Sequence, residues 1–165
     1  MMLSDLAALP LTYREIGATA GPTPHGYHQL AASAVIGQGR DRFEEAAADL
    51  MRWGMQRGAG LRVEATTEVA AVDSEVLVGI GPVRVPCRVV YVLDEPDRRG
   101  FAYGTLKGHA EIGEELFSVR FDPTGGTVHA EVRAFSRPGT WWSRLGGPVT
   151  ALAQRLVTQR YLRAL

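Results

Sequence analysis

His109, Glu111, Glu114 and Glu115 fall inside one short run, FAYGTLKGHAEIGEELF from Phe101 to Phe117, between two segments of β-type alternation. A histidine can give or take a proton near neutral pH, and a neighbouring carboxylate can set its tautomer, so His109 with Glu111 or Glu115 is a candidate acid–base pair. Glu115 shares the two-residue alternation of Phe117, Val119 and Phe121. If those side chains face the interior, its carboxyl faces it too, and there it needs an arginine, a hydrogen-bonding group or a raised pKa. Glu114 points the other way on this pattern, and both Glu114 and Glu111 are expected in solvent. The plainer reading of His109 is a turn residue whose ring bonds a backbone carbonyl and holds the hairpin. The spacing of these four groups matches no strong metal-ligand signature, so no metal is expected.

Further polar groups fall on neighbouring strands. Tyr103 alternates with Phe101 and Thr105, and Tyr91 with Cys87 and Val89, which places both hydroxyls on a pocket wall or, equally, in a packed core. Arg88 and Arg133 lie within sheet runs, where a guanidinium either binds a carboxylate or forms an ordinary cross-strand ion pair. Tyr91, Tyr103, His109, Glu115 and Arg133 are therefore the expected ligand contacts. Cys87 reads as an inert core thiol, and Ser136 has no sequence-adjacent histidine to activate it. Gly37-Gln38-Gly39 precedes a helix but lacks both the third glycine of a dinucleotide turn and a P-loop lysine, so no nucleotide cofactor is expected.

The elements that must position these groups follow from periodicity. Residues 27–36 read as a strand. Asp41 and Glu44 form a capping-box pattern that opens a helix with Phe43, Ala46, Ala47, Leu50 and Gly54 on one face, ended by Gly58 and Gly60. From 61 to 135 the period is two, broken by turn clusters at 72–74, 81–82, 94–100, 107–113 and 122–126, which is an antiparallel meander. Residues 87–93 are apolar on both faces, so that strand is covered on two sides or by a partner chain. Beyond Trp141 and Trp142, Pro148 suits the first turn of a helix running toward the C-terminus along Val149, Leu152 and Leu156. The expected fold class is α+β: a helix grip, in which a curved antiparallel sheet wraps a long C-terminal helix, as one domain over residues 1–165. The space between sheet and helix is either a cavity or is filled by the aromatic side chains.

Composition narrows the partners. With 18 acidic and 18 basic side chains in 165 residues the chain has no net field to attract nucleic acid or anionic lipid. Lys107 is its only lysine. One cysteine and an N-terminus without a signal-like pattern predict a cytoplasmic location, and no run reaches the ~20 apolar residues of a membrane span.

The run GFAYGTLKGHAEIGEELF, then RAFSRPGTW and Gln154 to Tyr161, resembles the family called domain of unknown function nineteen-ninety. Tyr13 with Gly17, Ala18 and Thr19, the turn at Val35 to Gly39, Trp53 and CRVVYVLDEP from Cys87 are similar to further signature points of that family, so the resemblance spans nearly the whole chain. It implies a START-like, helix-grip architecture, a superfamily of lipid carriers, hormone receptors and polyketide cyclases, and hence an apolar or amphipathic small-molecule ligand. It does not imply one activity. Three expectations differ in what they require of the interior: a ligand carrier needs a connected void, an enzyme of the cyclase, hydrolase or isomerase kind adds His109 or Glu115 exposed to that void, and a partner-binding module, such as a homodimer built on Trp141, Trp142 and the last helix, needs neither.

Overall fold

The structure, a computed structural model, describes residues 1–139 and 147–165, with the side chains of Ile80 and of 147–154 left aside. Trp141 and Trp142 lie outside the described residues. Seven strands form one antiparallel sheet: β1 (His28–Gln38), β2 (Arg62–Ala65), β3 (Glu75–Ile80), β4 (Val83–Glu95), β5 (Arg98–Thr105), β6 (Glu111–Phe121) and β7 (Thr127–Pro138), in the order β1-β7-β6-β5-β4-β3-β2. Between β1 and β2 come α1 (Arg40–Met51) and α2 (Gly54–Gly58), and after β7 comes α3 (Gly147–Leu162). This is an α+β fold in which a curved sheet carries its helices on one face, called concave here. The opposite, convex face is crossed by the N-terminal segment with its two 3-10 turns, Leu3–Ala8 and Ala18–Ala20.

Alternation explains the core. Val89, Phe101, Tyr103, Phe117, Val119, Val128, Ala130 and Val132 all come up on the concave face, where Phe43, Ala46 and Leu50 of α1 meet them. Leu77 and Leu106 instead pack under Leu6 of the first 3-10 turn on the convex face. The two-sided apolar character of 87–93 is thus satisfied within the chain: helices cover one side and the N-terminal segment the other. Arg88 fastens that segment, donating to the carbonyls of Leu6 and Ala7 while its guanidinium lies 3.3 Å from Glu75.

The first helix departs from its expected form at both ends. Its N-cap is Gly39, at φ 91°, with no side-chain cap; Asp41 lies inside the first turn, where its charge still suits the helix dipole. Instead of running to Gly58 the helix breaks at Trp53, which takes a left-handed conformation (φ 66°) rare for a bulky residue. The indole accounts for the break. It is fully buried, stands edge-on to Phe101 at 5.0 Å and donates from Nε1 to the Thr67 carbonyl at 3.2 Å, a position that a continuous helix would not give it.

Candidate functional site

On the concave wall Tyr103 and Glu115 are direct cross-strand partners of β5 and β6, and the Tyr103 hydroxyl donates to Glu115 Oε2 at 3.3 Å. Ala134 flanks Glu115 from β7. The carboxyl is half-buried, and its loss of water raises the pKa to about 7, against which the Tyr103 hydrogen bond lowers it. Burial likewise holds the hydroxyls of Tyr103 and of Tyr161, from α3, well above the ordinary tyrosine range, so both are protonated donors. Phe117 links the three groups: its ring lies 5.1 Å from Tyr103 and 5.2 Å from Tyr161, both edge-on. With Phe101 and Trp53 these rings make an aromatic cluster over the middle of β5 and β6, and Glu115 stands at its edge, directly across from Tyr103.

Tyr91 does not join that wall. Val89 pairs with Tyr103, yet Tyr91 pairs with Ala102, so Val90 is an extra residue in a β-bulge, and every side chain beyond it changes face. The Tyr91 hydroxyl instead meets the Thr19 hydroxyl at 2.7 Å on the convex side. Arg133, opposite Leu116 and Ala31, is convex as well and donates to the Gly21 carbonyl. Among the described residues it pairs with no glutamate; Glu131 is held instead by Arg120 at 2.8 Å and Arg98 at 3.5 Å. His109 stays in the turn between β5 and β6, where burial lowers its pKa to about 4 and keeps the ring neutral. Its Nδ1 accepts from the Glu111 amide at 2.9 Å, so the bond that stiffens the turn runs from a backbone N–H and not to a carbonyl. Of the five expected contacts, Tyr103 and Glu115 are brought together; Tyr91 and Arg133 share the other face, and His109 belongs to neither group.

Glu114, expected in solvent, is instead the most heavily bonded carboxylate described. It is 3% exposed and accepts from the Tyr13 hydroxyl (2.7 Å), the Gly17 amide (2.7 Å), and the amide and hydroxyl of Thr19 (2.9 and 2.5 Å). Glycine opposite it makes this possible: a Cβ on Gly104, its partner on β5, would lie 2.2 Å from the Tyr13 hydroxyl. Burial and the Glu114 carboxylate together raise the Tyr13 pKa far above its usual value, so the phenol remains a donor. The constellation is saturated and closed by the N-terminal segment, which makes it a latch and not a reaction centre. Cys87 is buried and its thiol pushed up by desolvation, in keeping with an inert core residue. Among the described residues no group of three or more His, Cys, Asp or Glu could hold a metal, and no helix is long and apolar enough to cross a membrane.

A family model described as Domain of unknown function (DUF1990) matches residues 12–164. A UPF0548 protein of Deinococcus radiodurans is 46% identical over 78 residues, 47% of this chain and 39% of the relative. A UPF0548 protein of Arabidopsis thaliana is 33% identical over 136 residues, 75% of this chain and 64% of the relative. The chain therefore aligns with less than two thirds of the length of either relative. Among solved structures, a hypothetical protein from Helicobacter pylori superposes with a TM-score of 0.61 at 7% identity, covering 82% of this chain and 86% of the other. Truncated norcoclaurine synthase from Thalictrum flavum superposes with a TM-score of 0.50 at 9% identity, over 86% and 96% of the two chains. At such identities what is shared is the fold, here the helix-grip arrangement. The match over almost the full chain and the motif residues gathered around β5 and β6 make this protein a member of the DUF1990 family.

Proposed function

We propose that this protein holds a small apolar or amphipathic molecule between the concave face of its sheet and α3, with Tyr103 and Glu115 as the polar contacts that orient it. The observation that carries this reading is the placement of Glu115: a half-buried carboxyl beside an aromatic block, with a single long hydrogen bond from Tyr103 and unused acceptor capacity. A carboxyl with acceptors to spare beside apolar rings is the kind of polar group that orients a mostly apolar ligand. The ring block sets one boundary of the binding space and supplies the apolar surface against which a guest packs. The test is native mass spectrometry of protein purified from cells, with Tyr103→Phe and Glu115→Gln beside the natural sequence. A retained small-molecule mass that falls in both variants supports the reading; a chain that arrives empty and takes up no member of an apolar ligand panel overturns it.

A second reading is favoured by one observation. A carboxyl with pKa about 7 is half-ionised near neutrality, the condition under which an acid–base catalyst works best, so an enzyme of the cyclase, hydrolase or isomerase kind would use Glu115 to move a proton on the guest. Turnover of a retained guest would then inflect near pH 7 and vanish in Glu115→Gln with binding intact. Binding without turnover leaves the carrier reading alone.

A further inference from the structure

Gln56 poses a separate chemical question. It lies on α2, which packs against α1, β2 and α3, and it is 0% exposed. Its backbone carbonyl is occupied by the Leu61 amide, yet both side-chain atoms, Oε1 and Nε2, have no hydrogen-bond partner. Buried polar groups are almost always paired, because an orphaned one forfeits its hydration with nothing in return. A bridging water would need two to four polar contacts. Among the side chains of its buried neighbours along the chain, Trp53, Met55, Ala59 and Leu61, the one hydrogen-bond donor is the indole N–H, which is already given to the Thr67 carbonyl.

We propose that Gln56 is a ligand-reading residue, and that its carboxamide pairs through both atoms with a guest group presenting a donor and an acceptor side by side: a lactam, a primary or secondary carboxamide, or an un-ionised carboxylic acid. This inference rests on the binding reading above and narrows its substrate class to apolar molecules with such a head. The chemistry follows from the orphan pair. An amide nitrogen alone would select any acceptor and a carbonyl alone any donor; the two together select a group that closes a two-bond ring with them. The concave layer supplies the rest, with apolar rings at its centre and the Glu115 carboxyl on the sheet wall.

The test uses 2-quinolinone, a flat bicyclic lactam, and N-methyl-2-quinolinone, which keeps the ring system and carbonyl but lacks the N–H. Binding of both to the full chain is measured by calorimetry for the natural sequence, Gln56→Met and Glu115→Gln, with thermal melting to confirm folding. The expected result is a preference of about tenfold or more for the lactam in the natural sequence, absent in Gln56→Met, whose melting temperature in the unliganded state is unchanged or higher. Equal binding of the two probes, a preference that persists in Gln56→Met, or a crystal structure showing ordered water on both Gln56 atoms overturns the inference. If Glu115→Gln weakens binding of both probes and Gln56→Met does not alter their ratio, the carrier reading stands and this one fails. If neither probe binds, both fail.

Discussion

At the scale of single residues, two adjacent glutamates divide the work of the molecule between its faces. Glu114 faces the convex side and is fully bonded; Glu115 faces the concave side and is not. Glu114→Gln sets its NH2 against a backbone N–H, that of Gly17 or of Thr19, whichever way the amide turns, so it should cost about 2–4 kcal/mol in urea unfolding and open residues 1–27 to limited proteolysis before the sheet melts. Unchanged cleavage of that segment would show that the latch does not hold it. The sequence made Glu115 legible, since its alternation with Phe117 and Val119 survives in β6. Glu114 was hidden for a definite reason: alternation says which residues share a face, not whether both faces are covered. The cover here is a segment of short 3-10 turns with neither helical nor strand period. The available signal lies in Tyr13, Gly17 and Thr19, which resemble signature points of the family and whose donors converge on one carboxylate some hundred residues away.

At the scale of elements, the meander, its turns and the face of α1 were readable because each rests on local spacing, whereas Val90 and Trp53 were not. A bulge adds one residue without altering composition, so Tyr91 keeps its place in the written pattern and loses it in space. Trp53 falls at the end of a stretch with continuous helical spacing, and only its burial against Phe101 from a distant strand shows why the chain turns there. Tertiary packing overrides local preference at that point. Trp53→Ala should therefore cost about 3–5 kcal/mol in denaturant unfolding, the range for deleting a large buried aromatic. A loss below about 1 kcal/mol would mean that the indole does not fix the angle between α1 and α2.

At the scale of the whole molecule, two buried titrations oppose each other. Glu115 rises from 4.5 to about 7 on folding, so the unfolded chain releases that proton first and stability falls as pH climbs between those values. His109 drops from 6.5 to about 4, so the unfolded chain binds the proton first and stability rises across nearly the same interval. Each contributes on the order of 1–3 kcal/mol after allowance for partial exposure. The natural sequence should show a nearly flat stability profile from about pH 4.5 to 6.5, Glu115→Gln a profile that rises with pH, and His109→Gln one that falls. Chemical denaturation at half-unit steps would show it, and parallel profiles for all three proteins would contradict both assignments.

The bonds from Tyr13, Gly17 and Thr19 to Glu114 also have a temporal side, since they join positions 95 to 101 residues apart. During synthesis the first twenty residues leave the ribosome long before their acceptor exists, and at about 5–20 residues per second the wait is roughly 5–20 s. For that interval the leading segment has no seat, and β1 has none either until β7 is made. A nascent chain of this protein thus emerges with its N-terminal segment unseated until Glu114 is made and its opening strand unpaired until β7 follows.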